Sequence, residues 1–289
     1  MKTLAYYNGS FGEIESIFVP ITDRAYYFGD GIYDVAYCYN HKIFALDEHV
    51  DRFLSSARYF DVRLHMGKEE LIDLIERMAD KVDGDKLSVY FQCSRGTGYR
   101  DHLFSGDGYG NIAIMIRPAG IKDQNRPLKT MTATDIRHGY CGHKTLNLLS
   151  NVMAIKEAAK KGLDEVIFVS GKTVTECAHS NVSILKNGVL YTPPADGKIL
   201  PGIAREHLLK QCERLGVEWK YRMIEEKELF SADEILVTAS GSLCVKVEEI
   251  NEKTVGGKDP FSAYKLQKAV VDEFNAYTGS ALIVEESDE

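Results

Sequence analysis

Two Asn-Gly pairs, Asn8-Gly9 and Asn187-Gly188, constrain the fold more than any other feature of this chain. Each lies between short apolar runs, 4–7 and 13–18 around the first, 182–185 and 189–192 around the second. A type I′ turn needs two successive residues at positive φ, and Asn-Gly supplies them with little strain. A β-hairpin is therefore expected in each half of the chain. Regular alternation of strand and helix, as an eightfold βα barrel requires, does not fit that pattern.

The remaining punctuation predicts strands at 33–39, 43–46, 86–94, 111–117, 129–135, 165–170, 173–176, 217–223, 234–238 and 243–250. Helices are expected over 47–59, with Asp47 as N-cap, over 68–82, and over 146–161 with Gly162 closing it. Two more follow, one ending near residue 215 before Gly216 and one over 260–277. Leu71, Leu74, Ile75 and Met78 share one helical face and mark core. The polar break at 118–127 predicts a domain boundary, with a small α/β domain at 1–119 and a linker at 120–126. A larger domain at 127–289, with mixed and largely antiparallel β structure, would carry Lys144. The fold class is thus α+β.

Length and composition suit a folded globular protein, with 289 residues, 44% apolar and 27% charged. A net charge of −8 and the absence of any basic run argue against a nucleic-acid partner. No stretch reaches the eighteen apolar residues of a membrane span and the first residues lack a signal-peptide core, so the cytoplasm is the expected location. The six cysteines are scattered without a Cys-x-x-Cys pair, which indicates neither a disulfide framework nor a metal site.

Lys144 sits in a small, polar segment before an apolar run at 146–154, a setting that suits a Schiff-base lysine. Taken alone, such a lysine is more often simply solvated. Glu176 ends an alternating strand and precedes the run Cys177-Ala178-His179-Ser180-Asn181. Gly202-Ile203-Ala204-Arg205 opens a helix whose free N–H groups suit an anion, and Ala239-Ser240-Gly241-Ser242 is a second turn able to reach the same phosphate. The loop 95–110 is long and glycine-rich, and Arg100 and His102, two apart, can point the same way and form a cationic clamp for a carboxylate. A flexible hairpin tip with incidental charges fits that loop equally. Arg52, in the second turn of a helix, reads on its own as a surface residue pairing with a carboxylate such as Glu48.

The conjunction of these features resembles the fold-type IV pyridoxal-phosphate enzymes, and among them the D-amino-acid transaminases. The likeness rests on 28–33 (Phe-Gly-Asp-Gly-Ile-Tyr), 48–52, 95–97, 144–147, 174–176, 180–181 and 202–205. It implies pyridoxal 5′-phosphate as cofactor, with Lys144 forming the Schiff base and moving a proton between substrate and cofactor carbons. It implies that Glu176 keeps the pyridine nitrogen protonated, and that Arg52, the backbone of Ile203 and Ala204, and Ser240 bind the phosphate. A homodimer is implied, with its cleft between two domains, in which Tyr33 and the neighbouring subunit's Arg100 and His102 grip the substrate carboxylate. The activity implied is transfer of an amino group from D-amino acids such as D-alanine to 2-oxoacids such as 2-oxoglutarate, by a ping-pong route through pyridoxamine phosphate. A branched-chain L-amino-acid transaminase or an aminodeoxychorismate lyase of the same fold is the alternative. His143, Cys177-Ala178-His179 and Gly241 depart from the pattern, the first where it has an aliphatic residue and the second where it has small ones.

Overall fold

Asn8 and Gly9 have φ of 45° and 92°, and Asn187 and Gly188 have φ of 51° and 74°, so both Asn-Gly pairs turn the chain back as their chemistry requires. The computed structural model describes residues 1–104 and 108–286; positions 105–107 of the glycine-rich loop and 287–289 of the acidic tail lie outside the described residues. Contacts divide the chain into two units. The first comprises Met1–Gly120, His143–Asn147 and Tyr277–Ser280; the second comprises Ile121–Gly142, Leu148–Ala276 and Ala281–Glu289.

The first unit begins with β1 (Leu4–Tyr7) and β2 (Ser10–Gly12), followed by a 3₁₀ turn, Ile14–Ser16, where strand was expected. Ser16 explains the difference, because its hydroxyl donates to the Glu13 carbonyl at 2.8 Å and closes a local turn in place of the ladder. Next come α1 (Arg24–Phe28), β3 (Gly31–Tyr39), β4 (Lys42–Ile43), α2 (Leu46–Tyr59), α3 (Lys68–Ala79), β5 (Lys86–Ser94) and β6 (Asn111–Pro118). Asp47 is not the N-cap of α2: Ala45 takes that place at φ 52°, and Asp47 lies in the first turn. There its charge still favours the helix dipole.

The six strands pair in the order β2-β1-β6-β5-β3-β4, every pair antiparallel. Alternation along β3 sends Ile32, Ala36 and Cys38 into a cluster with Val50, Phe53 and Ala57 of α2. Phe53 meets Phe91 of β5 edge-on with ring centroids 5.0 Å apart. Each such side chain, fully buried, stabilises by about 1.5–3 kcal/mol relative to exposure.

The second unit runs through β7 (Leu128–Thr134), α4 (Leu149–Lys160), β8 (Glu165–Ser170), β9 (Thr173–Cys177), β10 (Asn181–Lys186) and β11 (Val189–Thr192). It continues with α5 (Ile203–Leu215), β12 (Glu218–Tyr221), β13 (Ile224–Glu225), α6 (Glu226–Leu229), β14 (Glu234–Ala239), β15 (Leu243–Ile250), β16 (Lys253–Thr254) and α7 (Pro260–Thr278). Its main path is β12-β11-β10-β14-β15-β7-β8-β9-β13, with β16 on β15. The β11/β12, β15/β7 and β7/β8 pairs are parallel and the others antiparallel, so the class is α+β with a mixed sheet. Val174, Ile184, Ile235, Val237, Val245 and Ile250 belong to its core.

The helix after Lys144 starts at Leu149 rather than near 146. Residues 144–146 are held by β3 instead: Tyr33 N–H donates to the Lys144 carbonyl at 2.8 Å and Leu146 N–H to the Gly31 carbonyl at 3.0 Å. That pairing groups the lysine segment with the first unit, whereas the sequence reading kept it with the second half. Among the described residues, no helix is long and apolar enough to cross a membrane.

Candidate active site

In the first unit, the lysine segment is seated by the glycines of the Phe-Gly-Asp-Gly run. A Cβ on Gly31 would lie 2.6 Å from the Cys93 carbonyl and 2.9 Å from Leu146 Cδ1, so a larger residue would displace backbone. Gly29, at φ 61°, ends α1 and accepts from the Asn147 side chain at 3.0 Å. So fixed, Lys144 donates from Nζ to the Tyr33 hydroxyl at 3.1 Å and lies 4.2 Å from that ring's centroid. Tyr33 stacks on Tyr90 at 5.5 Å, and burial raises the Tyr90 hydroxyl above its ordinary value while it donates to Gln92 at 2.7 Å. The amine therefore faces phenol oxygen and ring.

His143 stacks on Tyr59 at 3.9 Å and meets Phe60 edge-on at 5.2 Å. Burial lowers its pKa, so a neutral imidazole pins the residue before Lys144 to the C-terminal end of α2.

Arg52 turns its guanidinium inward, with 11% of its side chain exposed. Its Nε and Nη2 donate to Asp34 Oδ2 and Oδ1 at 2.9 and 2.7 Å. His49 Nδ1 lies 2.8 Å from Asp34 Oδ1. Asp34 is the one acidic side chain on the core-facing parity of β3, at 0% exposure. Burial works to raise its carboxyl, but Arg52 and His49 hold it well below the carboxylate range. Burial lowers His49, helped by the charges of Arg52 and Lys144 against the pull of Asp34, which leaves the ring neutral with Nδ1–H donating. Sequence reading missed Asp34 and His49, although an aspartate sharing parity with Ile32, Ala36 and Cys38 was a visible signal.

Arg100 and His102 are brought together on one aromatic ring. The Arg100 guanidinium carbon lies 5.2 Å from the Phe28 centroid, and the His102 ring lies 5.3 Å from it. Both side chains are exposed. Beneath them, buried Arg24 donates from Nη1 to the Asp101 carbonyl at 2.6 Å and from Nε to Asp30 at 2.8 Å. Arg95 donates to the same Asp30 carboxylate and to the Phe60 carbonyl at 2.7 Å. The loop base is thus anchored by two arginines on one acid.

In the second unit, Glu176 is the penultimate residue of β9, at 6% exposure with both oxygens engaged. Arg137 Nη1 donates to Oε1, while the Asn181 amide and the Leu200 N–H each donate to Oε2 at 3.0 Å. Arg137 also bonds Asp135 through Nε and Nη2 at 3.0 and 2.8 Å, and lies 4.8 Å from the Phe168 centroid. Burial opposes its charge, but Asp135 and Glu176 keep the guanidinium protonated; Arg137 and Thr175 in turn hold Asp135 below its ordinary value against the pull of burial. Nothing in the spacing around Arg137 marked it in the sequence.

Gly202 precedes α5, and a Cβ there would lie 1.9 Å from Asn181 Oδ1, so the glycine couples the helix start to the amide that holds Glu176. Ile203 and Ala204 form the first turn, where no side chain caps the N–H groups. Ser240 lies in the turn between β14 and β15, closed by Ser242 N–H donating to the Ala239 carbonyl at 3.1 Å. The Gly241 carbonyl accepts from Lys122 N–H at 2.9 Å. Cys177 is buried and its thiol pushed well up by that burial, which leaves it inert.

The chain matches the family model described as amino-transferase class IV over residues 31–250. It is 32% identical over 280 residues to a D-alanine aminotransferase of Bacillus licheniformis, covering 94% of this chain and 98% of that protein. It is 34% identical over 286 residues to a D-alanine aminotransferase of Listeria monocytogenes, covering 96% and 98%. A branched-chain amino acid aminotransferase from Escherichia coli shares the fold, with a TM-score of 0.86 at 22% identity over 96% of this chain and 95% of that one. Class IV aminotransferases use pyridoxal 5′-phosphate, and each unit offers groups suited to it. The first has an amine on a fixed segment and an interior arginine; the second has an oriented carboxylate for a ring nitrogen and an uncapped helix start for a phosphate. The chain belongs to the class IV aminotransferases and is a pyridoxal 5′-phosphate enzyme.

Proposed function

We propose that this aminotransferase moves the amino group of D-amino acids such as D-alanine to 2-oxoacids such as 2-oxoglutarate by a ping-pong cycle. The observation that carries the reading is the Arg100–Phe28–His102 arrangement, two cationic or polar side chains held side by side on one ring and anchored through Arg24. Such a pair suits a carboxylate, whose two oxygens accept from both donors. The two D-alanine aminotransferase relatives, alike over almost their whole length, support the same substrate class.

When bound, pyridoxal phosphate supplies an aldehyde for the amino group and a ring that accepts electrons from the substrate Cα. Lys144 Nζ, once freed from the cofactor, would take the proton from that Cα and deliver it to the cofactor carbon that bears the transferred nitrogen. Glu176 holds a proton at the ring nitrogen. Arg52, the N–H groups of Ile203 and Ala204, and Ser240 hold the phosphate. Tyr33 grips the substrate carboxylate together with Arg100 and His102 supplied by a second subunit.

A homodimer is part of the proposal. Exposed Phe18, Ile21, Tyr26, Tyr99 and Leu103 in the first unit, and Leu149, Val152 and Met153 on α4 in the second, are apolar surface of the kind a partner covers. The cytoplasm is the proposed compartment, in keeping with six cysteines that are all free thiols. The test follows the cofactor's visible absorbance in holoenzyme given one amino acid and no acceptor. D-alanine should bleach it within a turnover and L-alanine should not. Bleaching by L-leucine but not by D-alanine would replace the reading with a branched-chain one.

A further inference from the structure

The sheet of the first unit carries, on its face away from α2, a hydrogen-bond donor that the reading above leaves unused. Ile32, Phe91, Cys93 and Ile112 point into the core, so alternation places Tyr33 of β3, Tyr90 and Gln92 of β5 and Ala113 of β6 on the opposite face. Tyr33 and Gln92 are direct partners across the β3/β5 ladder, and Gln92 faces Ala113 across the β5/β6 ladder. Both are half-buried. They belong to the same unit as Lys144, whose amine donates to the Tyr33 hydroxyl at 3.1 Å.

The Gln92 amide is oriented from one side. Tyr90, stacked on Tyr33 with centroids 5.5 Å apart, donates its hydroxyl to Gln92 Oε1 at 2.7 Å. Burial raises that hydroxyl above its ordinary value, so it keeps its proton and takes the amide oxygen as its acceptor. The amide nitrogen is thereby turned away from Tyr90, and among the described residues Nε2 meets no acceptor. On the β6 side its neighbour is only the Ala113 methyl. Tyr33 is placed likewise: its oxygen accepts from Lys144, and its own proton is left to give.

Directly opposite residues of an antiparallel pair carry their Cβ atoms about 4.5–5.5 Å apart. Two donors side by side at that spacing suit the two oxygens of one carboxylate, and a hydrogen bond to such an anion is roughly twice as strong as one between neutral groups. A carboxylate has lone pairs enough to accept from Arg100 and His102 as well.

We propose that Gln92 is a substrate-binding residue, whose Nε2 donates to one oxygen of the substrate carboxylate while the Tyr33 hydroxyl donates to the other. Tyr90 is a positioning residue that fixes the amide. The inference rests on the transaminase reading above and adds to its carboxylate grip a group from the subunit that carries Lys144.

The test compares wild-type holoenzyme with Gln92→Glu and Gln92→Leu, using D-alanine as donor and 2-oxoglutarate as acceptor. The first keeps an oxygen for Tyr90 and so spares the fold, but turns the donor into an anion; the second removes the donor without adding charge. The KM for D-alanine should rise about tenfold or more in both, the scale of one hydrogen bond to a charged group, with a smaller change in kcat. In Gln92→Glu it should fall back toward the wild-type value as acid protonates the introduced carboxyl, which then donates again. A rise in Gln92→Glu alone would be charge repulsion and would overturn the proposal, as would an unchanged KM in both. Calorimetric binding of propionate, which has the carboxylate and no amine, is a readout independent of turnover. Its Kd should rise in both variants by the same factor as the KM, and an unchanged Kd overturns the proposal. Tyr90→Phe keeps the stack and removes the bond; it should weaken propionate by about two- to fivefold, and unaltered binding would overturn the positioning role of Tyr90. Wild-type enzyme that turns over no D-alanine would defeat the underlying reading, whereas active enzyme with unaltered propionate binding in both Gln92 variants would defeat only this inference.

Discussion

Asp34 in the first unit and Glu176 in the second are both buried carboxylates held by an arginine, yet their clusters end with different charge. Asp34 is ionised, Arg52 is positive and His49 is neutral, so that cluster sums to zero. Glu176 shares Arg137 with Asp135, so two carboxylates face one guanidinium and the sum is one negative charge. A buried carboxylate matched by one guanidinium is what the interior tolerates at lowest cost. A cluster with one negative charge in excess is suited to a positive ligand atom, and a protonated pyridine nitrogen is such an atom. In the first cluster one acid is matched by one arginine, and in the second two acids share one.

The sharpest way to break this comparison is to remove each acid in turn. Asp34→Ala removes the carboxylate that takes two bonds from Arg52 and should cost about 3–5 kcal/mol of stability, read by denaturant unfolding. Glu176→Gln neutralises the excess charge and should lower kcat about 10²-fold or more, the scale of a lost proton-holding group, with a far smaller change in unfolding midpoint. If Glu176→Gln instead unfolds the protein while Asp34→Ala mainly slows turnover, the assignment of the two clusters is reversed.

Smaller effects sharpen the picture. Gly31→Ala places a methyl 2.6 Å from the Cys93 carbonyl and against Leu146. It should cost about 1–3 kcal/mol and weaken cofactor retention, because the Lys144 segment must move. Retained cofactor with full activity would show that the seat is not Gly31. Acid should act on the neutral cluster in two phases. Both Asp34 and His49 have folded pKa values below their ordinary 3.8 and 6.5, so the unfolded chain binds more protons than the folded one. Stability is therefore present above about pH 6.5, declines below it as unfolded-state histidine protonates, and falls more steeply below about pH 4. His49→Gln should flatten the first phase and leave the second.

Local pattern made much of this legible. The strands at 86–94, 165–170 and 243–250 lie where the alternation placed them, since each is an apolar run bounded by turn residues. Both Asn-Gly hairpins followed from φ preference alone. What stayed hidden depends on partners distant in the chain. Lys144 pairs with Tyr33, more than a hundred residues earlier, and that pairing delays α4; no local signal encodes it. Arg137 was unreadable because an arginine two residues after an aspartate is an ordinary surface pattern. Asp47 lost its capping role to Ala45 because the chain turns through the left-handed region one residue before α2, a conformation that alanine does not advertise.

The central claim is that Lys144 Nζ is the amine that binds the cofactor covalently. Holoenzyme reduced with borohydride, digested and mapped by mass spectrometry tests it directly. The phosphopyridoxyl mass should fall on the peptide containing Lys144 and on no other. A label on another lysine, or none at all, would contradict the account.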